Sequence, residues 1–341
     1  MCSQPQLMLA RFSLSFRNEK SLRLPDYAGS AWRGVFGHAL KKLACVTREP
    51  QCANCMLYRT CLYPYIFETP VDPALGVMRK YPHAPHPFVL APGPQRGVLP
   101  PGQDIHLGLT LFGRGLAQLP YVMYALNQAG QRGLTKARIP LALQTVQQQD
   151  ANGTWQTIYT PQAELTPLTG VLPAMPECPP GSVRISVHSP LRLRVDNELV
   201  GPDKLCFAML FSALLRRLSM LSVFHGDQAL ETDFAALTQA AQNISILRSA
   251  LHWQDQTRYS SRQQTTLPLG GIKGWLELDG AQLQPFWPYL WLGQWTHVGK
   301  GASMGLGRYQ ITADKLAGPD FLPATFNTAQ ELSSIGSVSC E

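Results

Sequence analysis

Apolar and polar residues alternate over 7–16, Leu-Met-Leu-Ala-Arg-Phe-Ser-Leu-Ser-Phe, which predicts a first strand, broken at Pro25-Asp26. The period then lengthens. Over 29–44, Trp32, Val35, Phe36, Ala39, Leu40 and Leu43 share one face of a helix. Ala31, Gly34, His38, Lys41 and Lys42 take the other face, small at its start and basic at its end, where a polyanion has room to approach His38. Prolines make 64–102 an irregular segment. After it come a strand at 105–112, a helix at 116–128 and a strand at 139–147, with a hairpin partner at 155–159 across a turn at Gly153.

A proline cluster at 173–180 reads as a linker. Beyond it the pattern predicts a strand or strand pair at 183–195, a helix at 204–224, a short helix at 233–239 and a strand at 244–253. A glycine group, Leu269-Gly-Gly-Ile-Lys-Gly-Trp275, leads into a strand at 275–278, and an aromatic-rich helix or turn at 285–293 precedes a last strand at 308–313. The expectation is two α/β sandwiches in tandem, residues 1–175 and 181–341. Regular strand–helix crossovers are missing, which excludes a doubly wound sheet.

Charge adds direction to this outline. With 29 Lys and Arg against 22 Asp and Glu, the 341-residue chain carries a net charge of +7. Such a balance suits a polyanionic partner. Basic polar positions fall at Arg184, His188, Arg192 and Arg194, and in Arg258-Tyr-Ser-Ser-Arg262. No stretch approaches the roughly 18 uninterrupted apolar residues of a membrane span, and the start shows no apolar signal segment. A cytoplasmic location without membrane association is expected.

The run His297-Val-Gly-Lys-Gly-Ala-Ser-Met-Gly-Leu-Gly-Arg308 places Gly299, Gly301, Gly305 and Gly307 around Lys300 and next to Arg308. Glycine backbones let amides approach a ligand, and the two cations suit phosphate, so the run predicts either a nucleic-acid contact or a tight structural loop. Glycine follows Lys300, and a strand follows the run, so it is not a mononucleotide P-loop; a third glycine at dinucleotide spacing is also absent.

Cys45, Cys52, Cys55 and Cys61 form a C-x6-C-x2-C-x5-C array. Four thiolates at this spacing suit a closed tetrahedral zinc site of structural type, with an iron–sulfur centre as the lesser alternative. Cysteines without metal, or a disulfide or redox role, are the other readings. Cys2, Cys178, Cys206 and Cys340 are scattered and read as inert. His83 and His86 lie in the proline-rich segment and are expected to be solvated.

Taken together, several runs resemble the CRISPR-associated endoribonucleases of the repeat-associated (RAMP) superfamily that process precursor crRNA. These are Leu24-Pro-Asp-Tyr-Ala-Gly-Ser-Ala-Trp-Arg-Gly-Val-Phe-Gly-His38 with the cysteine array, Arg79-Lys-Tyr-Pro82 with Pro85-His-Pro-Phe88, Arg258–Arg262, and the glycine-rich run. The resemblance spans nearly the whole chain. It implies an α+β fold of tandem ferredoxin-like, RRM-like domains, with the cysteine-rich segment 45–61 inserted in the first. It also implies RNA contacts by Gly299, Lys300, Gly301, Gly305, Gly307 and Arg308, and no cofactor for catalysis. The expected partners are CRISPR repeat RNA, precursor crRNA and a CRISPR effector complex.

The implied chemistry is attack of a ribose 2′-OH on the adjacent phosphate, giving a 2′,3′-cyclic phosphate and a 5′-OH. It requires a base, an acid and positive charge on the phosphorane. His38 is the leading candidate because the family commonly carries a histidine near the first helix. Lys41 and Lys42, three and four residues on, lie on the same face. Tyr27 serves as a positioning or proton-transfer candidate, or as a ring packed on the helix start. His297 is the competing catalytic histidine, or a residue that holds the loop. Arg258, Arg262 and Lys273 are expected to contact RNA. The rival readings are a non-catalytic RNA-binding subunit, a zinc-stabilised protein-interaction module and, least favoured, a metal-dependent nuclease.

Overall fold

The computed structural model describes residues 5–71, 84–260, 265–314, 316–320, 322 and 323. Arg79, His83 and Arg262 lie outside the described residues, and of Arg258 only the backbone is described.

The first half runs β1 (Leu9–Asn18), β2 (Leu22–Leu24), α1 (Gly29–Ala44), α2 (Leu62–Phe67), β3 (Phe88–Pro92), β4 (Gly97–Leu99), β5 (Asp104–Phe112), α3 (Leu119–Arg132), β6 (Leu141–Gln149) and β7 (Trp155–Tyr159). The second runs β8 (Ser182–Leu191), β9 (Arg194–Val195), β10 (Glu198–Leu199), α4 (Phe207–His225), α5 (Phe234–Ala240) and β11 (Arg248–Gln254). It continues with β12 (Thr257–Ser260), β13 (Thr265–Pro268), β14 (Gly271–Asp279), α6 (Trp287–Thr296), β15 (Tyr309–Ala313) and β16 (Leu316–Ala317).

Each half builds one five-stranded sheet, ordered β3-β5-β1-β6-β7 and β11-β14-β8-β15-β16, with antiparallel pairing throughout. Without the additions, each half reads β-α-β-β-α-β, with its first strand between its third and fourth. The fold is therefore α+β, two helix-flanked antiparallel sheets consistent with a duplicated ferredoxin-like architecture.

Alternation decides what each strand buries. On β1, Phe12, Leu14 and Phe16 enter a core with Trp32, Phe36 and Leu40 of α1 and Val122 and Leu126 of α3. Each such large side chain contributes about 1.5–3 kcal/mol when removed from water. A separate core holds Val183, Ile185 and Val187 of β8 beneath Phe211, Leu214 and Leu218 of α4 and Trp291 of α6. Helix α4 is long and apolar enough to pass for a membrane span, but its apolar face packs in this core.

The halves are bolted together at several points. Leu7, Leu9, Val89 and Phe112 of the first half belong to the core of the second. At the end of α4, the His225 Nε2–H donates to the Pro85 carbonyl at 2.8 Å, and Arg114 donates to the Phe224 carbonyl at 2.7 Å. Burial draws the His225 pKa down to about 4.

The proline-rich stretch is less irregular than its composition implies. It contains α2, β3 and β4. Phe88, Val89, Leu90 and Ala91 are all buried, so β3 lacks the polar alternation that marks a half-exposed strand. His86 is not a solvated loop residue either. Its ring stacks on Phe88 at 5.6 Å and lies 2.9 Å from Arg33.

Candidate functional site

Helix α1 presents two distinct surfaces. Trp32, Phe36, Ala39 and Leu40 face the core, whereas His38 and Lys42 are exposed. Being four residues apart, those two are neighbours one helical turn apart. Lys41 turns elsewhere. Its ammonium reaches the Pro50 carbonyl at 3.3 Å and lies 5.7 Å from the centre of the Tyr63 ring, beside the cysteine segment.

The start of α1 is docked on the glycine-rich loop of the second half. A Cβ on Gly29 would lie 2.0 Å from the Met304 carbonyl oxygen, so only glycine permits this approach. The Tyr27 hydroxyl donates to the same carbonyl at 2.6 Å. Burial raises the Tyr27 pKa well above its ordinary value, with the Arg308 charge opposing that rise. Tyr27 thus ties the loop to α1. Along the helix axis, Gly29 and His38 are separated by about 14 Å at 1.5 Å per residue.

The loop begins where α6 ends at His297, which takes a positive φ of 58°. Left-handed Gly301 and Gly305 bracket a single 3-10 turn at Ala302–Met304. The loop closes on the protein itself. Val298 N donates to the Gly307 carbonyl, Lys300 N to Arg192, Gly307 N to Pro190, and Leu306 N to Gly301. The Ser189 hydroxyl donates to the Gly305 carbonyl at 2.7 Å and accepts from Arg308 N at 2.8 Å. The amides of Lys300 and of 304–308 are therefore engaged inside the protein, unlike an open row of donors awaiting phosphate.

His297 sits at the centre of this closed loop. It is fully buried, with its ring beside the backbone of Gly305 and Leu306. Burial first, then the charges of Arg308 and Arg217, holds its pKa well below the ordinary histidine value. This neutral ring supports the loop from within.

Side-chain charge remains outward. Lys300 is exposed, and its pKa is lowered by partial burial and by the nearby charges of Arg194 and Arg192. Arg308 stands at the centre of a second cationic group. Its charge reaches Arg11, His188 and Lys273, and Lys273 also feels Arg96. Burial, together with the Arg308 charge and against the pull of Asp320, lowers Arg11 to about 9. Partial burial, then the Arg308 charge, lowers the pKa of His188, whose side chain still reaches solvent.

The structure brings Tyr27, Gly305 and Arg308 together where the halves meet, with Lys273 beside Arg308, while His38 and Lys42 lie farther along α1. Arg11 was not legible as a site residue, because it shares the polar phase of β1 with Ser13 and Ser15, where alternation predicts a solvent-facing side chain. Its only signal is a long cation between Ala10 and Phe12.

Cys45, Cys52, Cys55 and Cys61 are free thiols of intermediate exposure lining one concave site. Cys52 and Cys55 are held by a 3-10 turn in which Cys55 N donates to the Cys52 carbonyl at 3.0 Å. The donor set and its backbone placement suit thiolate coordination. The side chains are not arranged as a ready ligand set: among the described residues, no three or more His, Cys, Asp or Glu groups are positioned to hold an ion.

Comparison with known proteins follows the division of the fold. Residues 7–169 match an N-terminal domain family model, AF_1859_N. Residues 185–309 match the model described as CRISPR-associated endoribonuclease Cas6. The second half of the chain thus carries a region similar to Cas6 endoribonucleases. An uncharacterized protein of Archaeoglobus fulgidus (strain ATCC 49558) is 32% identical over 111 residues, 33% of this chain and 37% of that protein.

Solved Cas6 structures share the fold at low identity. A partial Cas6-RT-Cas1–Cas2 complex aligns with a TM-score of 0.55 at 14% identity, over 92% of this chain and 48% of the other. The chain thus spans about half the length of that fused Cas6 relative. A Cas6 product complex aligns with a TM-score of 0.52 at 16% identity, over 89% of this chain and 98% of the other.

Proposed function

We propose that this chain cleaves CRISPR repeat RNA in precursor crRNA, with residues 1–175 and 181–341 as its two domains and the cytoplasm as its location. The observation that carries the reading is the exposed His38–Lys42 pair on α1, a helix fixed at its start to a loop bordered by cations. His38 moves a proton, as base at the attacking 2′-OH or as acid at the departing 5′ oxygen. The 2′ oxygen bonds to phosphorus as the bond to the 5′ oxygen breaks, which leaves a 2′,3′-cyclic phosphate and a 5′-OH. Lys42 offsets charge building on the phosphorane oxygens. Lys300, Arg308 and Lys273, with Arg258 and Arg262, supply backbone contacts that set affinity more than sequence preference. Tyr27 and His297 position the loop and do not transfer protons.

The test is cleavage of a matched repeat RNA in EDTA, beside the same RNA carrying one 2′-deoxy sugar at the cut. A single cut with cyclic-phosphate ends, lost with the deoxy sugar, supports the reading. Tight binding without a cut assigns the chain to a non-catalytic RNA-binding role in a CRISPR effector complex.

The cysteine segment is proposed to hold one structural zinc through Cys45, Cys52, Cys55 and Cys61, after the side chains rotate toward their shared concavity. Four thiolates would close the coordination sphere and stiffen the chain between α1 and α2. Protein purified without oxygen should contain about one zinc per chain and lose thermal stability in a strong chelator. Metal-free protein of equal stability would refute it.

A further inference from the structure

The helix-free face of the second sheet carries a feature that neither α1 nor the glycine loop accounts for. Val183, Ile185 and Val187 of β8, and Ile272, Leu276 and Leu278 of β14, point into the core. The alternate residues therefore project from the opposite face: Arg184, Ser186 and His188 on β8, and Lys273, Trp275 and Glu277 on β14. Register places Ala250 and Ser186 on either side of Trp275 across the strands. Both neighbours are short, so the indole is flanked by low ground. The sharp approach of β11 is made by Gly274, at φ 116°, where a Cβ would lie 1.9 Å from the Ala250 carbonyl oxygen.

The Arg184 guanidinium lies over the Trp275 ring, 4.2 Å from its centre. It is held there by Glu277, whose Oε1 accepts from Arg184 at 3.0 and 2.6 Å. Glu277 Oε2 accepts from Arg248 at 2.8 Å. The carboxylate is sunk, with a side chain 6% exposed, whereas the Arg184 and Arg248 side chains are 43% and 71% exposed. Two arginines against one carboxylate leave the group with positive charge. His252, across from Lys273 on edge strand β11, is also exposed. A planar cation is thus fixed over an aromatic ring, on the two adjacent strands β8 and β14, beside further cations.

We infer that Trp275 and Arg184 form a stacking platform for an unstacked base of single-stranded RNA, separate from the α1 site. Sheet faces of this fold class bind RNA by stacking bases on aromatic rings or guanidinium planes of central strands. The Glu277 bond pre-organises the guanidinium, so little side-chain freedom is lost when a base arrives. Strands β12 and β13 pair with each other between β11 and β14 in the chain. This inference rests on the RNA-processing reading and deepens it, because it gives a contact to bases where the loop cations give contacts to phosphate.

The experiment measures binding of a fluorescein-labelled oligouridine of about 12 nucleotides, a typical single-strand site size, to the full chain across a salt series. Cleavage of repeat RNA is followed on the same preparations. Trp275→Leu and Arg184→Lys are each expected to weaken binding roughly 5- to 100-fold, the scale of losing one stacked base. Neither removes a charge, so the salt dependence should keep its slope. Lys273→Gln should instead lower the slope by about 0.7, one single-strand phosphate contact. Should Trp275→Leu lose its fold by near-UV circular dichroism, the half-exposed Arg184→Lys decides alone. Wild-type binding by a folded Arg184→Lys or Trp275→Leu variant overturns the platform. If repeat RNA is still cleaved in that case, only the platform falls. A wild-type chain that neither binds nor cleaves RNA overturns both readings.

Discussion

Helix α1 and the glycine loop, which touch at Gly29, each carry a histidine and neighbouring cations, yet they treat those residues in opposite ways. On α1, His38 and Lys42 stand in solvent on a rigid helix whose other face is core. In the loop, His297 is fully buried, the amides around it serve the protein, and Lys300 carries charge outward while Arg308 lies largely buried. A histidine that must exchange protons with a substrate needs access to it, while one that braces a loop needs burial and neutrality. Under the proposed reading, chemistry belongs to α1 and positioning to the loop.

The largest expected effect is on rate. His38→Ala should lower cleavage about 100- to 10,000-fold, the usual contribution of a general acid or base, with little change in Tm because the side chain is exposed. Next comes the loop. A Cβ at Gly307, whose φ is 67°, would lie 1.7 Å from the Val298 carbonyl oxygen. Gly307→Ala should therefore cost roughly 3–4 kcal/mol of stability and lower Tm by about 10 °C.

The third effect depends on pH. His225 is held neutral, with its pKa near 4 in the folded chain, while the unfolded chain titrates near 6.5. The unfolded state thus binds more protons between these values. Stability from this site is complete above about pH 6.5 and is lost as pH falls toward 4, on the order of 3 kcal/mol. Buried His297 acts in the same direction. Denaturant titrations of wild type and His225→Gln between pH 4 and 7 should show a shallower fall for the variant. The smallest effect belongs to Tyr27→Phe, which removes one hydrogen bond to Met304 and should cost about 1 kcal/mol, with cleavage by the folded enzyme retained.

Much of this was legible in the residues. The 3.6-residue period over 29–44 matches α1 at both ends, and its polar face contains the exposed His38 and Lys42. The hairpin at 155–159 also pairs as expected. Strand β3 was hidden because burial on both faces erased its alternation, and flanking prolines suggested loop. The first sheet's buried Arg11 was hidden for a related reason: local pattern reports which face a residue takes, not what a distant loop later brings against that face. The glycine run showed backbone freedom but not its use. Only the approach of Pro190, Arg192 and Tyr27 shows that this freedom serves internal closure and docking on α1.

The most direct measurement is single-turnover cleavage of a matched repeat RNA, in EDTA and at saturating protein, by His38→Ala and His297→Ala side by side. Each rate would be normalised to the folded fraction. The account predicts near-complete loss of cleavage with retained RNA binding for His38→Ala, and a near wild-type rate per folded molecule for His297→Ala. A folded His297→Ala chain that binds but does not cut, beside an active His38→Ala chain, would contradict it.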